Sequence, residues 1–469
     1  MADTAMEVDY LVIGAGLAGM SFTDSLLSES DSRVLMVDRR HSPGGHWNDA
    51  YPFVRLHQPS AFYGVPSRNL GEDRIDKTGP NAGFYERATG AEVCHYFQEV
   101  MDETFLPSGR VDFLPMHDVQ ERRGGAAVVT SRITGATRDV KVRKKVVDAR
   151  YLESSIPATH TPSFTVDEDA RCVPVNELVR ETEPAGGYVV LGAGKTAMDA
   201  CVWLLEQGVD PGYITWVKPR EPWMIDRKNL QPREKVGDFI KDWAASVEAA
   251  AQATSVPDLF ERLESCGALV RIDRSVEATM FRAPILSQYE RSLLGTIEHV
   301  VRGGHVHRIQ TDRMVMDAGQ VTVPTDALFV DCTAEGLQTP PPRPTFEEGR
   351  ITPQGIREGS PSFNAALIGY IEATRGGDLD LANDLTPPNP HPSTSVDWIR
   401  QRHTGMTAQM RWDQQPDITA WIEGCRLNIA DGLGRHAGEP GVADAIGVYL
   451  MNAAAAIDNL AKLHTAASS

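Results

Sequence analysis

Cysteine is scarce in this chain of 469 residues, and its cysteines never stand close together in the sequence. A Cys-x-x-Cys zinc site and the redox disulfide of a disulfide reductase both need closely spaced cysteines, so the sequence excludes both. We interpret the thiols as reduced and mostly buried in a cytoplasmic protein. The six residues are Cys94, Cys172, Cys201, Cys266, Cys332 and Cys425.

Positive charge and long apolar runs are also in short supply. The chain has 46 Lys and Arg against 64 Asp and Glu, a net charge of −18, which disfavours nucleic acid or an anionic membrane as partner. The most apolar stretch, residues 445–457, contains Asn452 and is shorter than the roughly 18 residues of a membrane helix. The opening MADTAMEVD lacks the basic lead and apolar core of a secretion signal. We therefore expect a cytoplasmic protein without a membrane partner, and the oligomeric state stays open.

A glycine is missing where a P-loop would need one. In YVVLGAGKTAMDA, residues 188–200, the Gly-Lys-Thr end resembles a P-loop, but Val189 occupies the position of its first glycine. What remains is an apolar strand, a Gly192-x-Gly194-x-x-Ala197 turn and a helix. Such a turn lets the chain reverse, lets a pyrophosphate approach the backbone, and lets helix and strand pack closely. We predict a dinucleotide site here that includes Lys195 and Thr196.

A second unit of the same kind opens the chain. An apolar strand at residues 8–13 leads into a glycine-rich turn, a helix and a second strand that ends at Asp38. An acidic residue about 20 positions after the glycines is where the ribose hydroxyls of a dinucleotide are held. The predicted binding residues of this unit are Gly14, Gly16, Leu17, Ala18, Gly19, Asp38 and Arg39.

The end of the second strand distinguishes the two units. In the second unit the strand at residues 213–217 ends not in an acid but in Lys218-Pro219-Arg220. A basic residue at this position accommodates a 2′-phosphate. We therefore predict FAD at the first unit and NADPH at the second, with Lys218 and Arg220 contacting the phosphate. The alternative for both residues is a solvated basic turn.

These motifs resemble a known family, the flavoproteins with two dinucleotide-binding domains, and within them the flavin-containing and Baeyer-Villiger-type monooxygenases. The specific part is PGGHWNDAYP at residues 43–52, which adds to the two glycine turns. The resemblance implies that Gly45, His46 and Trp47 line the FAD. Two features depart from the family pattern: its Phe-x-Gly-x-x-x-His linker motif is absent from residues 151–164, and its Ala-Thr-Gly strand is altered to LFVDCTAEG.

The order of the patterns predicts an α/β fold with two Rossmann-like domains and a helical C-terminal region. We expect the first part of the FAD domain at residues 1–150, with Val119 near the adenine. The NAD(P)H domain follows at 185–320, where residues 234–266 are predicted to be helical and to cover a pocket. Residues 328–469 return to the FAD domain and end in helices.

Candidate catalytic residues follow the Gly-Gly-His-Trp segment. In the family this loop lies beside the flavin ring, and its donors Arg55, His57 and Gln58 could stabilise a negatively charged reduced flavin or a flavin peroxide. Arg227 is a further candidate because of its place in the second domain. Each of them could equally be a structural hydrogen-bonding group, and we expect no metal site.

The resemblance favours an NADPH-dependent monooxygenase that oxygenates a small molecule with molecular oxygen through a flavin peroxide, where the cofactor supplies the chemistry and the protein orients it. Two alternatives stay open. One is a flavin oxidase or dehydrogenase with a vestigial NAD(P)H domain. The other is a non-catalytic FAD-fold binding protein. The substrate cannot be identified from the sequence.

Overall fold

The computed structural model describes residues 6–122 and 124–468. Residues 1–5, part of the segment searched for a secretion signal, lie outside the described residues. The helices, in chain order, are α1 (Leu17–Ser28), α2 (Gly90–Val100), α3 (Lys195–Glu206), α4 (Val236–Gln252), α5 (Val256–Ser265), α6 (Gln288–Leu294), α7 (Pro361–Arg375), α8 (Leu379–Leu385), α9 (Ser395–Trp412), α10 (Pro416–Gly424), α11 (Leu433–His436) and α12 (Pro440–Ser468).

The strands, in chain order, are β1 (Met6–Ile13), β2 (Val34–Val37), β3 (Val111–Leu114), β4 (His117–Arg122), β5 (Ala126–Ser131), β6 (Thr137–Asp148), β7 (Ser154–Ser155), β8 (Thr165–Val166), β9 (Arg171–Pro174), β10 (Tyr188–Leu191), β11 (Ile214–Val217), β12 (Glu221–Asp226), β13 (Ala278–Leu286), β14 (His299–Val301), β15 (Val306–Ile309), β16 (Arg313–Met316), β17 (Gly319–Thr322), β18 (Leu328–Asp331), β19 (Gly336–Leu337), β20 (Phe346–Glu347) and β21 (Arg350–Ile351).

The first sheet contains the N-terminal glycine unit. Its main order is β20-β21-β6-β1-β2-β3, and β1 pairs in parallel with both β2 and β6. Strand β2 is buried along its whole length, as expected for a parallel strand covered on both faces. Helices α1 and α7 pack against one face, where Phe22, Leu26 and Leu367 share a buried cluster with Val12 and Met36.

The second sheet contains the other glycine unit. It is parallel throughout, in the order β14-β11-β10-β18-β9. We expected the chain to re-enter the first domain at about Leu328, but β18 pairs with β10 in the second sheet. The chain rejoins the first sheet only at β20 and β21. The prediction of an α/β fold with two Rossmann-like units is confirmed.

A helical layer covers the second unit. The prediction of helix at residues 234–266 is confirmed by α4 and α5. Together with α9 and α12 they enclose a cluster that includes Val247, Leu259, Trp398 and Leu460. Trp412 is fully buried and packs in the first domain. Residues of α4 and α5 also line a cleft, so these helices cover a pocket as predicted.

The last helix is longer than the sequence indicated. By length and composition α12 could cross a membrane, and 11% of its most apolar window is buried. We expected residues 445–457 to be too short, but the helix continues through Asn452 to Ser468. One such helix is weak evidence for a membrane span. One of its sides packs on α4, where Asn459 Nδ2 donates hydrogen bonds to the carbonyl oxygens of Ala250 (2.8 Å) and Ala253 (2.7 Å).

Candidate functional site: a cleft between two dinucleotide turns

One continuous cleft of about 1290 Å³ runs past both glycine turns. Gly14 and Gly16 line it from the first sheet, and Gly192 and Gly194 line it from the second. Parallel strands place their carboxyl ends, and therefore the turns that follow them, at the same edge of a sheet, which is where ligands of doubly wound folds bind. The fold therefore brings both predicted nucleotide sites to a single cavity.

Both helices that follow the turns begin without a side-chain cap. Helix α1 has Gly16 at its N-cap and α3 has Gly194, and at neither N-terminus does a capping side chain accept a hydrogen bond from the backbone N–H groups. By contrast, α2 and α9 are capped by Thr89 and Thr394. Uncapped N–H groups at a helix N-terminus bind anions, because they add to the positive end of the helix dipole. The two turns therefore offer donors for two pyrophosphates.

Close packing explains the glycines of the first turn. A Cβ atom on Gly19 would clash with the carbonyl oxygen of Gly14, so α1 can approach β1 only with glycine there. A Cβ on Gly16 would lie 3.3 Å from the Cα of Gly45. Leu17 and Ala18 also line the cleft at this turn. The backbones of Gly16 and Gly45 therefore pack directly against each other, and a side chain on either residue would push the two segments apart.

Asp38 lies in the cleft at the end of β2, as predicted. Its Oδ2 accepts a hydrogen bond from the backbone N–H of Ala15 at 2.6 Å, which fixes the carboxylate beside the glycine turn. The predicted neighbours Arg39 and Val119 also line the cleft there. Arg39 is exposed and forms an ion pair with Glu153. This end of the cleft therefore has the acid and the wall expected for an adenosine site.

The Gly-Gly-His-Trp segment forms a short 3₁₀ helix, Gly45–Asp49, on the cleft wall. Gly45 has a φ of +60°, a conformation that favours glycine. His46 stacks on Trp47 with ring centroids 5.3 Å apart, and Trp47 Nε1 donates a hydrogen bond to the Tyr63 hydroxyl at 2.6 Å. Burial and the nearby charge of Arg40 lower the pKa of His46 to about 4. The segment is thus a rigid, neutral wall of the cleft.

Three of the four predicted catalytic residues reach the same cleft. Arg55, His57 and Gln58 all line it. Burial lowers the pKa of His57 well below its usual value, and the positive charges of Lys195 and Arg227 lower it further. Because His57 is therefore neutral near pH 7, its imidazole offers one donor and one acceptor rather than a positive charge.

Arg227 differs from the prediction because it lies behind the cleft wall. Its side chain is fully buried and forms an ion pair with Glu290 at 2.6 Å. Arg227 Nε also donates a hydrogen bond to the backbone carbonyl oxygen of His57 at 3.3 Å. The residue therefore acts on the cleft through the position of His57, and it is a positioning residue rather than a catalytic one.

A compact group of charges surrounds Glu290. Arg87, from the first domain, lies 3.7 Å from its carboxylate on the side away from Arg227. Burial alone would raise the pKa of Glu290. The charges of Lys195, Arg227 and Arg87 outweigh burial and lower that pKa to about 2. Glu290 is therefore a permanent anion that joins the two units. Its motif in the sequence, Ser287-x-x-Glu290, signals only a helix cap.

At the second turn, Gly192, Gly194, Lys195 and Thr196 line the cleft, as predicted. Lys195 is largely buried and pairs with Asp199 one helical turn later. Asp199 also accepts a hydrogen bond from the Tyr51 hydroxyl at 2.7 Å, so the loop after Trp47 contacts the start of α3. The Lys195–Asp199 pair follows from the i,i+4 spacing on α3, whereas the Tyr51 contact depends on how the two domains pack and could not be read from the sequence.

The two basic residues after β11 have opposite environments. Arg220 is exposed and lines the cleft, as a phosphate ligand must. Lys218 is buried, pairs with Glu221 at 2.7 Å and lies 4.5 Å from the centre of the Trp216 ring. We predicted that Lys218 contacts the 2′-phosphate, but the structure turns its ammonium group into the protein. Glu221 stands only three residues later in the sequence, yet its role as a buried partner could not be read from that spacing.

Comparison with known proteins agrees with this architecture. A family model described as an NAD(P)-binding Rossmann-like domain matches residues 12–62, which hold the first turn and the loop after it. The uncharacterized protein Rv2000 of Mycobacterium tuberculosis is 43% identical over 466 residues, which cover 99% of this chain and 86% of that protein. This chain belongs to the same family as that mycobacterial protein.

Weaker similarities point to flavoproteins. The probable FAD-binding monooxygenase AlmA of an Acinetobacter species is 28% identical over 102 residues, which are 21% of this chain and 18% of that protein. The solved structure of a flavin-containing monooxygenase from Stenotrophomonas maltophilia is 15% identical with a TM-score of 0.48, and the match covers 79% of this chain and 98% of the other.

Proposed function

We propose that this protein is an FAD- and NADPH-dependent oxidoreductase, and specifically a monooxygenase that acts on a small molecule. The observation that carries the proposal is the pair of uncapped, glycine-started helices, α1 and α3, that open on one cleft. A single turn of this kind would bind one nucleotide and would be compatible with many functions. Two turns on one cavity allow two dinucleotides to bring their reactive rings together.

The described residues fit FAD at the first unit. Gly16 and Gly45 pack closely without side chains beside the cleft, and α1 begins at this turn with an uncapped N-terminus that would face the pyrophosphate. Asp38 would hold the ribose, and His46 and Trp47 would border the ring system. When bound, FAD supplies the chemistry by accepting hydride from NADPH and passing two electrons to oxygen, so that one oxygen atom enters the substrate and the other leaves as water.

The protein itself would bind and orient the two nucleotides and shield their reactive rings from water. Gly192, Gly194 and Thr196 would hold the second pyrophosphate, and Arg220 would contact the 2′-phosphate. Neutral His57, with Gln58, would place hydrogen-bond groups at the reacting edge of the cleft. Arg227 and Glu290 would keep the His57 backbone in place, because both are buried and paired. Such preorganised groups stabilise developing charge without reorganising during the reaction.

A functional second unit separates this proposal from its alternatives. In a flavin oxidase or dehydrogenase with a vestigial second domain, the turn at Gly192 and Gly194 would bind no nucleotide. Nothing would then keep the space around it open. A Cβ on Gly194 would meet no protein atom within 4 Å, so its surroundings are open in the way that a bound pyrophosphate requires. The same space disfavours a non-catalytic FAD-fold protein.

The test is to purify the protein with added FAD and to follow NADPH absorbance and dissolved oxygen together. We expect a yellow protein that consumes both and prefers NADPH to NADH. Gly16→Val should lose FAD, because its side chain would fill the space opposite Gly45. A colourless protein that takes up no FAD would overturn the cofactor assignment, and oxygen consumption without NADPH would favour the oxidase.

A further inference from the structure

One arm of the cleft lies under α4 and contains an acidic residue in apolar surroundings. Asp242 and Trp243 follow Phe239 by three and four positions and precede Ser246 by four and three, so the four residues share one face of α4, and all of them line the cleft. The opposite walls come from α5, β13 and α9. They contribute the apolar side chains of Leu263, Met280, Phe281, Ile285 and Trp398 and the polar ones of Arg282, Gln401 and Arg402.

The carboxylate of Asp242 has a hydrogen bond but no ion pair. Asn229 Nδ2 donates to its Oδ1 at 2.7 Å. Across residues 6–122 and 124–468, no Lys, Arg or His pairs with it. Burial raises its pKa to about 7, and the more distant charges of Arg402 and Lys228 offset only part of that effect. A charged Asp242 is therefore poorly compensated by the protein alone.

Arg402, the nearest candidate partner, is already engaged. Its Nη1 donates to Glu358 at 2.9 Å. Its guanidinium lies 4.0 Å from the centre of the Trp243 ring and 5.2 Å from that of Trp398. A guanidinium held between a carboxylate and two indole rings is fixed by three favourable contacts. Arg402 therefore shapes the arm of the cleft and leaves Asp242 without a partner.

Ser246 is a second unsatisfied polar group on the same wall. It lies one helical turn after Asp242, is 2% exposed, and its Oγ has no hydrogen-bond partner among the described residues. A buried hydroxyl without a partner is destabilising, so such groups mark places where a ligand or water completes the bonding. Two neighbouring polar groups therefore face the same apolar space.

We propose that this arm binds the substrate of the proposed oxidoreductase, and that the substrate is an apolar molecule with a protonated amine held by Asp242. A hydroxyl group could donate one hydrogen bond but would leave the carboxylate charge uncompensated, and an acid would bring a second negative charge. The ammonium group is an anchor and not the reacting atom, because a protonated nitrogen has no lone pair to accept oxygen. Oxygen insertion would then occur elsewhere on the molecule.

The test uses three ligands with the same apolar chain: octylamine, octanol and octanoate. Calorimetric titration of the full-length protein with FAD at pH 8 should give octylamine about tenfold tighter binding than octanol, and octanoate the weakest. Asp242→Asn keeps an oxygen that can accept a hydrogen bond from Asn229 but removes the negative charge. The ratio of octylamine affinity to octanol affinity should therefore fall to near one. Asp238→Asn is the matched control, because Asp238 lies one helical turn before Asp242 on α4 but is exposed and does not line the cleft.

Equal binding of octylamine and octanol by the wild-type protein would overturn the proposal, whether or not the variants fold. A preference that survives Asp242→Asn would overturn it too. The inference rests on the proposed function, but the two can fail separately. Amine binding that depends on Asp242 without NADPH oxidation would reject the oxidoreductase and keep the site. NADPH oxidation without an amine preference would keep the oxidoreductase and reject the amine site.

Discussion

Two basic side chains follow β11, and their surroundings give them separate roles. Lys218 balances Glu221 inside the protein, where Arg302 approaches the same carboxylate at 3.3 Å. Arg220 is exposed at the cleft and available to a phosphate. Residues two positions apart within a strand would share a face, but Lys218 and Arg220 lie beyond the end of β11, where this alternation no longer applies, and they do not share an environment.

We expect Arg220→Gln to lower the affinity for NADPH by about tenfold or more and to leave NADH almost unchanged, because a charge-assisted phosphate contact contributes roughly 1.5–3 kcal/mol. Lys218→Met should instead reduce thermal stability, because it leaves Glu221 without its closest partner. Rates of flavin reduction with each nucleotide, together with melting curves, check both variants. Equal NADPH and NADH affinities in the wild type would remove Arg220 from the phosphate site.

Among the elements, the two glycine turns differ in what their glycines do. Gly19 is required by the protein itself, because a Cβ would meet the backbone of Gly14. Gly194 is not, since its Cβ would meet no protein atom within 4 Å and its φ of −83° suits any residue. The fold therefore does not require glycine at position 194, and we propose that a bound pyrophosphate does.

Gly194→Ala should accordingly leave the melting temperature of the nucleotide-free protein unchanged or slightly raised, since alanine restricts the unfolded chain. It should also weaken NADPH binding by at least about tenfold, because the methyl group occupies the approach of the pyrophosphate. Gly447→Ala in α12, whose Cβ also meets nothing, is the control and should leave NADPH affinity intact. Undiminished NADPH binding by Gly194→Ala would place the nucleotide elsewhere.

Sequence reasoning identified these elements where the signal was local. The turns at Gly14 and Gly192 and the apolar strands before them follow from spacing and periodicity alone. It assigned β18 to the wrong sheet, because a short buried parallel strand is apolar whichever sheet it joins. It also missed Asp242, although a carboxylate three positions after Phe239 on an apolar helix face is a readable signal.

For the molecule as a whole, Glu290 is the charge that links the two units. Arg87 approaches it from the first domain, and Arg227 from the second. Arg227 Nη1 and Arg87 Nε find no hydrogen-bond partner among the described residues, so the cluster already carries more donors than it can satisfy. Removal of the Glu290 charge would leave two buried guanidinium groups close together without compensation.

We expect Glu290→Gln to destabilise the protein at pH 7 by roughly 3–5 kcal/mol, the usual effect of breaking a buried ion pair. Glutamine at this position still completes the helix cap with Ser287, so the loss of stability measures the effect of removing the charge. The pKa of Glu290 is lowered from 4.5 to about 2, so its stabilisation is present above pH 4.5 and is lost as the pH falls towards 2. Urea unfolding from pH 7 down to pH 3 should therefore show the unfolding free energies of the wild type and the variant converging.

Glu298→Gln, an exposed change of the same kind, should follow the wild type throughout. A constant difference between wild type and Glu290→Gln across that range would mean that packing, and not charge, joins the two units.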